Sequence, residues 1–285
     1  MKKNTNGTSA MLALACASLF ASTNANATLA YNDGDLILGF RATGGTGAST
    51  DYLVNLGSDS SFLTGSSQLT LNVGSISTDL ISIFGAGWKT RSDLFWSVSG
   101  VQKFAGNTLP NNSMFATNSE TALGALGTQN STAWPRASAF SSGAPSLKVQ
   151  SMSNKFALGT TGAISGTDQI QSTNSAFALI QPTSQTNSFA SFMPNGINTT
   201  GASAYGYFNG TTGIEGNFGS GTLGSVLDLY SLTPGAGASS FIGNFSINDS
   251  AQVTYTPTGV PEPTSIAILG AGAAMLGMVR RRRTA

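Results

Sequence analysis

"FIGNFSINDSAQVTYTP", residues Phe241 to Pro257, holds two apolar-bearing runs around a polar centre. In the second run Val253 and Tyr255 alternate with Thr254 and Thr256, the two-residue period of a strand. Asn248-Asp249 stands between the runs, and these side chains favour turns by bonding to nearby backbone. The stretch therefore reads as a closing antiparallel hairpin with one wet face. The same pattern lies near the other end of the body. Asn32-Asp33-Gly34 reads as a turn and Asp35 to Arg41 as a strand; after Gly44-Gly45-Thr46-Gly47 comes a second strand, Thr50 to Leu56. Further strands are expected at Ser67 to Val73, Asp93 to Val101, "SAFALIQ" (from Ser175), "YGYFNG" (from Tyr205) and "VLDLYSLTP" (from Val226). "STDLISIFG" predicts a short helix, with Ser77 or Thr78 at its N-cap and Gly85 ending it. Ala-rich pieces between Glu120 and about Phe156, broken by Pro135 and Pro145, predict one or two helices. The expected fold class is mainly β: an antiparallel sandwich or jelly-roll-like domain with a helical insert.

Charge separates this body from its two ends. Six of the thirteen Lys and Arg are Lys2, Lys3 and Arg280 to Arg283. Between Thr28 and Val260 there are seven basic against eleven acidic residues, a net charge of −4. Phosphate backbones are bound by clustered cations, so nucleic acid is not an expected partner. The chain has no histidine, and its one cysteine, Cys16, lies in the N-terminal apolar run. Disulfides, Cys/His zinc sites and thiol catalysis are thereby excluded from the body.

Residues 1–27 have the three-part layout of a secretory signal peptide. Lys2 and Lys3 are followed by an apolar stretch from Ala10 to Ala21, then by the small-x-small site Ala25-Asn26-Ala27, with cleavage expected after Ala27. Cys16 sits mid-run with Ala13 three residues before it, which is not the lipoprotein pattern. At the other end, Thr264 to Val279 is a 16-residue run without charge, about 24 Å long as a helix. That is a short membrane span, which snorkelling arginines extend. Arg280, Arg281, Arg282 and Arg283 are expected to stay cytoplasmic and hold the body on the outer side. Pro261-Glu262-Pro263 lies in the linker 258–263. Its prolines keep the segment extended and open to a processing enzyme.

A Pro-Glu-Pro triplet, an apolar span and a terminal arginine cluster, in that order, resemble the PEP-CTERM sorting signal of Gram-negative bacteria, also known as the ice-binding protein C-terminal domain. The resemblance covers Val260 to Ala285. It implies recognition of Pro261, Glu262 and Pro263 by exosortase, a membrane-embedded cysteine transpeptidase-like enzyme, with release of the body or its transfer to the cell surface. Family members are associated with extracellular polysaccharide and biofilm matrix. The "GDLILGFRA" opening of the body, from Gly34, is similar to a body type recurrent among PEP-CTERM proteins and implies membership without chemistry.

The body itself offers little catalytic pattern. Asp33, Asp35 and Asp51 are near in sequence and are candidate Ca²⁺ ligands, but as turn residues they more often bond their own backbone. Glu120, Asp168, Glu215 and Asp228 carry no spacing that pairs them for glycoside hydrolysis and read as solvated loop carboxylates. A Ser-Lys arrangement with Lys89, Lys103, Lys148 or Lys155 lacks a motif. Trp88, Trp96, Trp134, Tyr205 and Tyr207 suit core packing better than sugar stacking. Thr254, Thr256 and Thr258 are too few for an ice-binding ladder. The expected protein is thus exported and non-enzymatic, without a cofactor or metal. Its expected partners are the secretion machinery, exosortase and extracellular polysaccharide, and its destination is the cell surface or the medium. The alternative is a permanently anchored adhesin or carbohydrate-binding module.

Overall fold

The computed structural model describes residues 31–64, 68–71, 73–104, 109–120, 170–175, 177–185, 188–192, 214–233 and 239–258. The predicted leader, the helical insert, "YGYFNG", the Pro-Glu-Pro linker, the apolar run and the arginine tail lie outside these residues. Among the described residues no helix is long and apolar enough to cross a membrane.

Eleven strands form one antiparallel sheet. They are β1 (Asp35–Ala42), β2 (Thr50–Ser58), β3 (Leu69–Leu71), β4 (Leu94–Gln102), β5 (Ser113–Ser119), β6 (Ile170–Gln171), β7 (Ala178–Pro182), β8 (Gly216–Asn217), β9 (Val226–Leu232), β10 (Ser240–Ile247) and β11 (Val253–Pro257). Their order across the sheet is β3-β11-β10-β9-β5-β4-β1-β2-β7-β6, with β8 paired to β4. The two hairpins legible in the sequence are present: β1 pairs with β2, and β10 with β11 across the turn that holds Asn248 and Asp249. The antiparallel, mainly β character is as expected. The strands, however, are hydrogen-bonded into a single continuous sheet, and the layering expected of a sandwich comes from its curling.

The curl is visible in α1 (Ser60–Leu63), which follows β2 directly yet packs on β10 and β11 far along the sheet. Phe62 of α1 meets Phe245 and Tyr255 with ring centroids 5.6 and 5.1 Å apart. The Tyr255 hydroxyl lies 2.9 Å from the Phe62 carbonyl and 2.7 Å from that of Ile242. Inside the curl, alternate residues of the strands form one core: Leu36, Leu38 and Phe40 from β1, Tyr52 and Val54 from β2, Trp96 and Val98 from β4, and Leu227 and Leu229 from β9. This is the apolar half of the two-residue period, and each such side chain contributes about 1.5–3 kcal/mol by leaving water.

α2 (Ile76–Phe84) closes this core. Ile76, Leu80 and Phe84, four residues apart, are buried on one helical face. Gly85 ends the helix with φ 93, as expected, but the helix is capped at Ser75, two residues before Ser77 and three before Thr78. Burial of Ile76 outweighs the capping preference of Ser77 and Thr78. Asp79 is buried with the helix and accepts hydrogen bonds from the Tyr52 hydroxyl at 2.6 Å, Ser172 at 2.5 Å and Asn174 at 2.7 Å. Burial and this carboxylate together push the Tyr52 phenol above its ordinary pKa. Of the Ser67–Val73 strand, Leu69–Leu71 pairs at the edge beside β11, and residues 67 and 72 lie outside the described residues.

The outer face is buried too, around Ile37, Leu53, Met114, Leu179 and Phe189. Phe189, on the short helix α3 (Phe189–Phe192), lies so close over β1 that a Cβ on Gly39 would sit 2.2 Å from its ring. Gly39→Ala is therefore expected to lower stability in urea melts by about 1–3 kcal/mol, through displacement of Phe189. Gly87→Ala, where nothing lies within 4 Å of the added Cβ, serves as the control and is expected to stay within about 0.5 kcal/mol. Equal effects would contradict the packing of α3 on β1.

Candidate functional site

The residues of β1, β2, β4 and β7 that alternate with the core side chains carry the chemistry. Cross-strand pairing sets four of them in one row: Phe95 opposite Arg41, Arg41 opposite Asp51, and Asp51 opposite Gln181. All are buried, Asp51 and Gln181 completely. The Arg41 guanidinium stands over the Phe95 ring, 5.3 Å from its centroid. Its partner comes from 174 residues away: Nε donates to Glu215 Oε1 at 2.8 Å and the terminal nitrogen to Oε2 at 2.5 Å, a bidentate fork.

A fork in the sheet brings Glu215 there. The C-terminal half of β4 pairs with β5, whereas its N-terminal half, at Phe95 and Trp96, pairs with β8. Where the two partners diverge, the Thr117 hydroxyl takes over the ladder: it accepts from Val98 N at 3.0 Å and reaches Ile214 O at 3.0 Å. Gly216 fits between Trp96 and Gly224, since a Cβ there would lie 2.7 Å from the indole nitrogen. That nitrogen donates to Gly224 O at 2.6 Å. Segment 214–217 is thereby pinned against β4, with Glu215 next to Arg41.

One guanidinium thus faces two carboxylates. Burial is the largest influence on both and pushes each up to about 7, while the Arg41 charge pulls each back down. Asp51 is also lowered by its hydrogen bond from Ala190 N, at 2.8 Å, and raised by Glu215. Arg41 grips Glu215, whereas Asp51 Oδ1 and the Gln181 side-chain amide make no hydrogen bond. The two carboxyls share one guanidinium and titrate as a coupled set.

One sequence expectation changes on this geometry. Glu120, Glu215 and Asp228 are buried and not solvated loop carboxylates, because the outer face of the sheet is covered as well. Asp228 and Glu120 lie near the Tyr230 phenol, which burial and then Asp228 push above its ordinary range. Asp33 and Asp35 lie at the start of β1, but Asp51 pairs with Arg41 near its end, so the three candidate Ca²⁺ ligands do not converge. Asp33 instead accepts from Lys103 N and Phe104 N at 2.7 and 2.8 Å, and Asp35 from Asn32 N and Asn55 Nδ2 at 2.9 and 3.0 Å. Among the described residues no group of three metal-ligating side chains could hold an ion. Trp88 and Trp96 are core residues; Trp134, Tyr205, Tyr207, Asp168, Lys148 and Lys155 lie outside the described residues. So do the sorting residues Pro261, Glu262 and Pro263, the arginines Arg280 to Arg283, and Ala25 and Ala27 of the leader.

An open cleft of about 480 Å³ runs past Lys89, Thr222, Ser225, Ser246 and Asn248 and does not reach the buried row. Its polar groups are largely used within the protein. Lys89 Nζ donates to Ile247 O at 2.8 Å and Asp249 Oδ1 at 2.9 Å, Ser225 to Gly221 O at 3.2 Å, and Asn248 Oδ1 accepts from Ser250 and Gln252 N. Trp88, beneath Lys89, is buried edge-on against Phe218 and presents no face to a sugar. Neither the row nor the cleft offers a carboxylate pair to a substrate, and the row is best described as the electrostatic lock of the sheet's outer face.

The lock has a pH signature. Both carboxyls titrate near 4 in an unfolded chain and higher in the folded one, so the folded state binds protons more tightly. The associated stability is fully present below about pH 4 and is lost as the pH rises through 7. Chemical denaturation between pH 5 and 8 is expected to show a fall on the order of 1–4 kcal/mol, which Asp51→Asn flattens. A slope unchanged by Asp51→Asn would place the titration elsewhere. Glu215→Ala removes the carboxylate from a buried guanidinium and is expected to cost about 3–5 kcal/mol at pH 7, read in the same melts.

Comparison of the chain with protein-family models, with curated proteins and with solved structures found no match.

Proposed function

We propose that this chain is a non-enzymatic exported protein, carried across the inner membrane of a Gram-negative bacterium by residues 1–27 and held there transiently by residues 264–279. Exosortase then processes it at Pro261-Glu262-Pro263. The carrying observation is the order of three unlike elements at the C-terminus: the Pro-Glu-Pro triplet, a 16-residue charge-free run, and Arg280 to Arg283. Each has its own physical role. The prolines keep a strip of backbone extended, the run partitions into lipid, and the arginines fix the direction of insertion. The resemblance to the PEP-CTERM signal assigns the same roles to the same residues.

The body is then the delivered cargo, a mainly β extracytoplasmic domain at 28–257. Its described part supports a structural or matrix role: its buried carboxylates serve sheet cohesion, and its aromatic side chains fill the core. Cell surface or extracellular matrix is the destination, with extracellular polysaccharide as the surrounding material.

Intact mass and terminal peptides of the protein recovered from cells and medium test this reading. The mature form is expected to start at Thr28 and end near Pro263. Glu262→Ala combined with Pro263→Ala is expected to leave the uncut form in the membrane fraction. Release at the wild-type level from that variant would refute sorting by the triplet. A wild-type form that keeps Arg280 to Arg283 would make the tail a permanent anchor.

A further inference from the structure

The position of the last backbone hydrogen bond among the described residues limits how far the body can stand from the bilayer. Thr258 N donates to Ile242 O at 3.1 Å, which ties the chain to the sheet up to that residue. The charge-free run begins at Thr264, six residues on, so the two are separated by at most about 20–22 Å even when fully extended. The sequence between them carries two of the chain's nine prolines, Pro261 and Pro263.

Strand directions identify which end of the sheet this is. β11 is antiparallel to β10 and β3, so Thr258 emerges beside the start of β10 at Ser240 and beside Gln68, the residue before β3; the Asn248–Gln252 turn lies at the opposite end. Ser240, Gln68 and Thr258 are all exposed. Around this exit the sequence carries no charge over 60–73 and 229–248, and the charged residues of the same sheet end, Asp33, Asp35, Asp59 and Lys103, stand at the ends of β1, β2 and β4.

The geometry points to this sheet end as a membrane-apposed surface: while the tail is inserted, the body stands with Ser240, Gln68 and Thr258 against the lipid headgroups of the outer leaflet, and the Asn248–Gln252 turn faces away. The inference rests on the anchor reading above. It also places the Pro-Glu-Pro strip in the gap between body and bilayer, so the body itself bounds the space in which processing occurs.

A single fluorophore measures the orientation. The full chain carrying Cys16→Ser and Glu262→Ala is reconstituted into phosphatidylcholine vesicles containing headgroup nitroxide lipid, with Ser240→Cys or Ser250→Cys labelled. Quenching is expected to be at least about twofold stronger at position 240, since the two positions are separated by roughly the length of β11, about 17 Å. A 20-residue Gly/Ser insert after Thr258, with a mean reach of about 25 Å, is expected to abolish the difference. Equal quenching with the native linker, or stronger quenching at position 250, would overturn the orientation and leave the anchor intact. A chain that does not float with the vesicles, or floats equally well without residues 264–285, would overturn the anchor reading and the orientation together.

Discussion

The bidentate contact between Arg41 and Glu215 is what allows the centre of this sheet to be buried on both faces. β1 has no exposed residue along its eight positions. One face is apolar and needs no help. The other carries Arg41 against Asp51 and Gln181, and a guanidinium enclosed without a carboxylate would cost several kcal/mol. Glu215 arrives by way of the fork between β5 and β8, so the Thr117 hydroxyl, the fit of Gly216 beside Trp96 and the placement of β8 are all conditions of the same pair. The excess negative charge this leaves at Asp51 makes the fold respond to pH, in a region that takes no part in any proposed chemistry.

The inner face depends on a second polar anchor. Asp79 travels into the core on α2 because its helix neighbours Ile76, Leu80 and Phe84 do, and the Tyr52 hydroxyl, Ser172 and Asn174 meet it there. Polar side chains thus fix the register of elements on either side of a curled sheet, while the apolar ones supply most of the free energy of burial. The proposed sorting reaction takes place outside the body.

Much of the fold was legible in the chain. β1, β2, β4, β9 and the β10–β11 hairpin lie within a residue or two of where alternation and turn residues put them, and Gly85 ends its helix as expected. Strand alternation is a local property, and it survives wherever one face is strongly apolar, as with Val253 and Tyr255. The helix start at Ile76 was not legible, because it answers to a core contact and not to a cap. The buried state of Glu120, Glu215 and Asp228 was not legible either: a carboxylate on the second face of a strand looks solvent-facing until that face is known to be covered.

The sequence alone determined the mainly β character, the main hairpins, the absence of histidine and thiol chemistry from the body, and the expectations for export and C-terminal sorting. All of these are written in residue order or residue type, and the proposed sorting signal is a linear string. Only the tertiary structure decided that the strands join one curled sheet, that Arg41 meets a glutamate 174 residues away, and that Thr258 lies on the side of Ser240 and Gln68. These depend on which strands become neighbours, a choice made by mutual burial of surfaces far apart in the chain, for which no local pattern carries a signal.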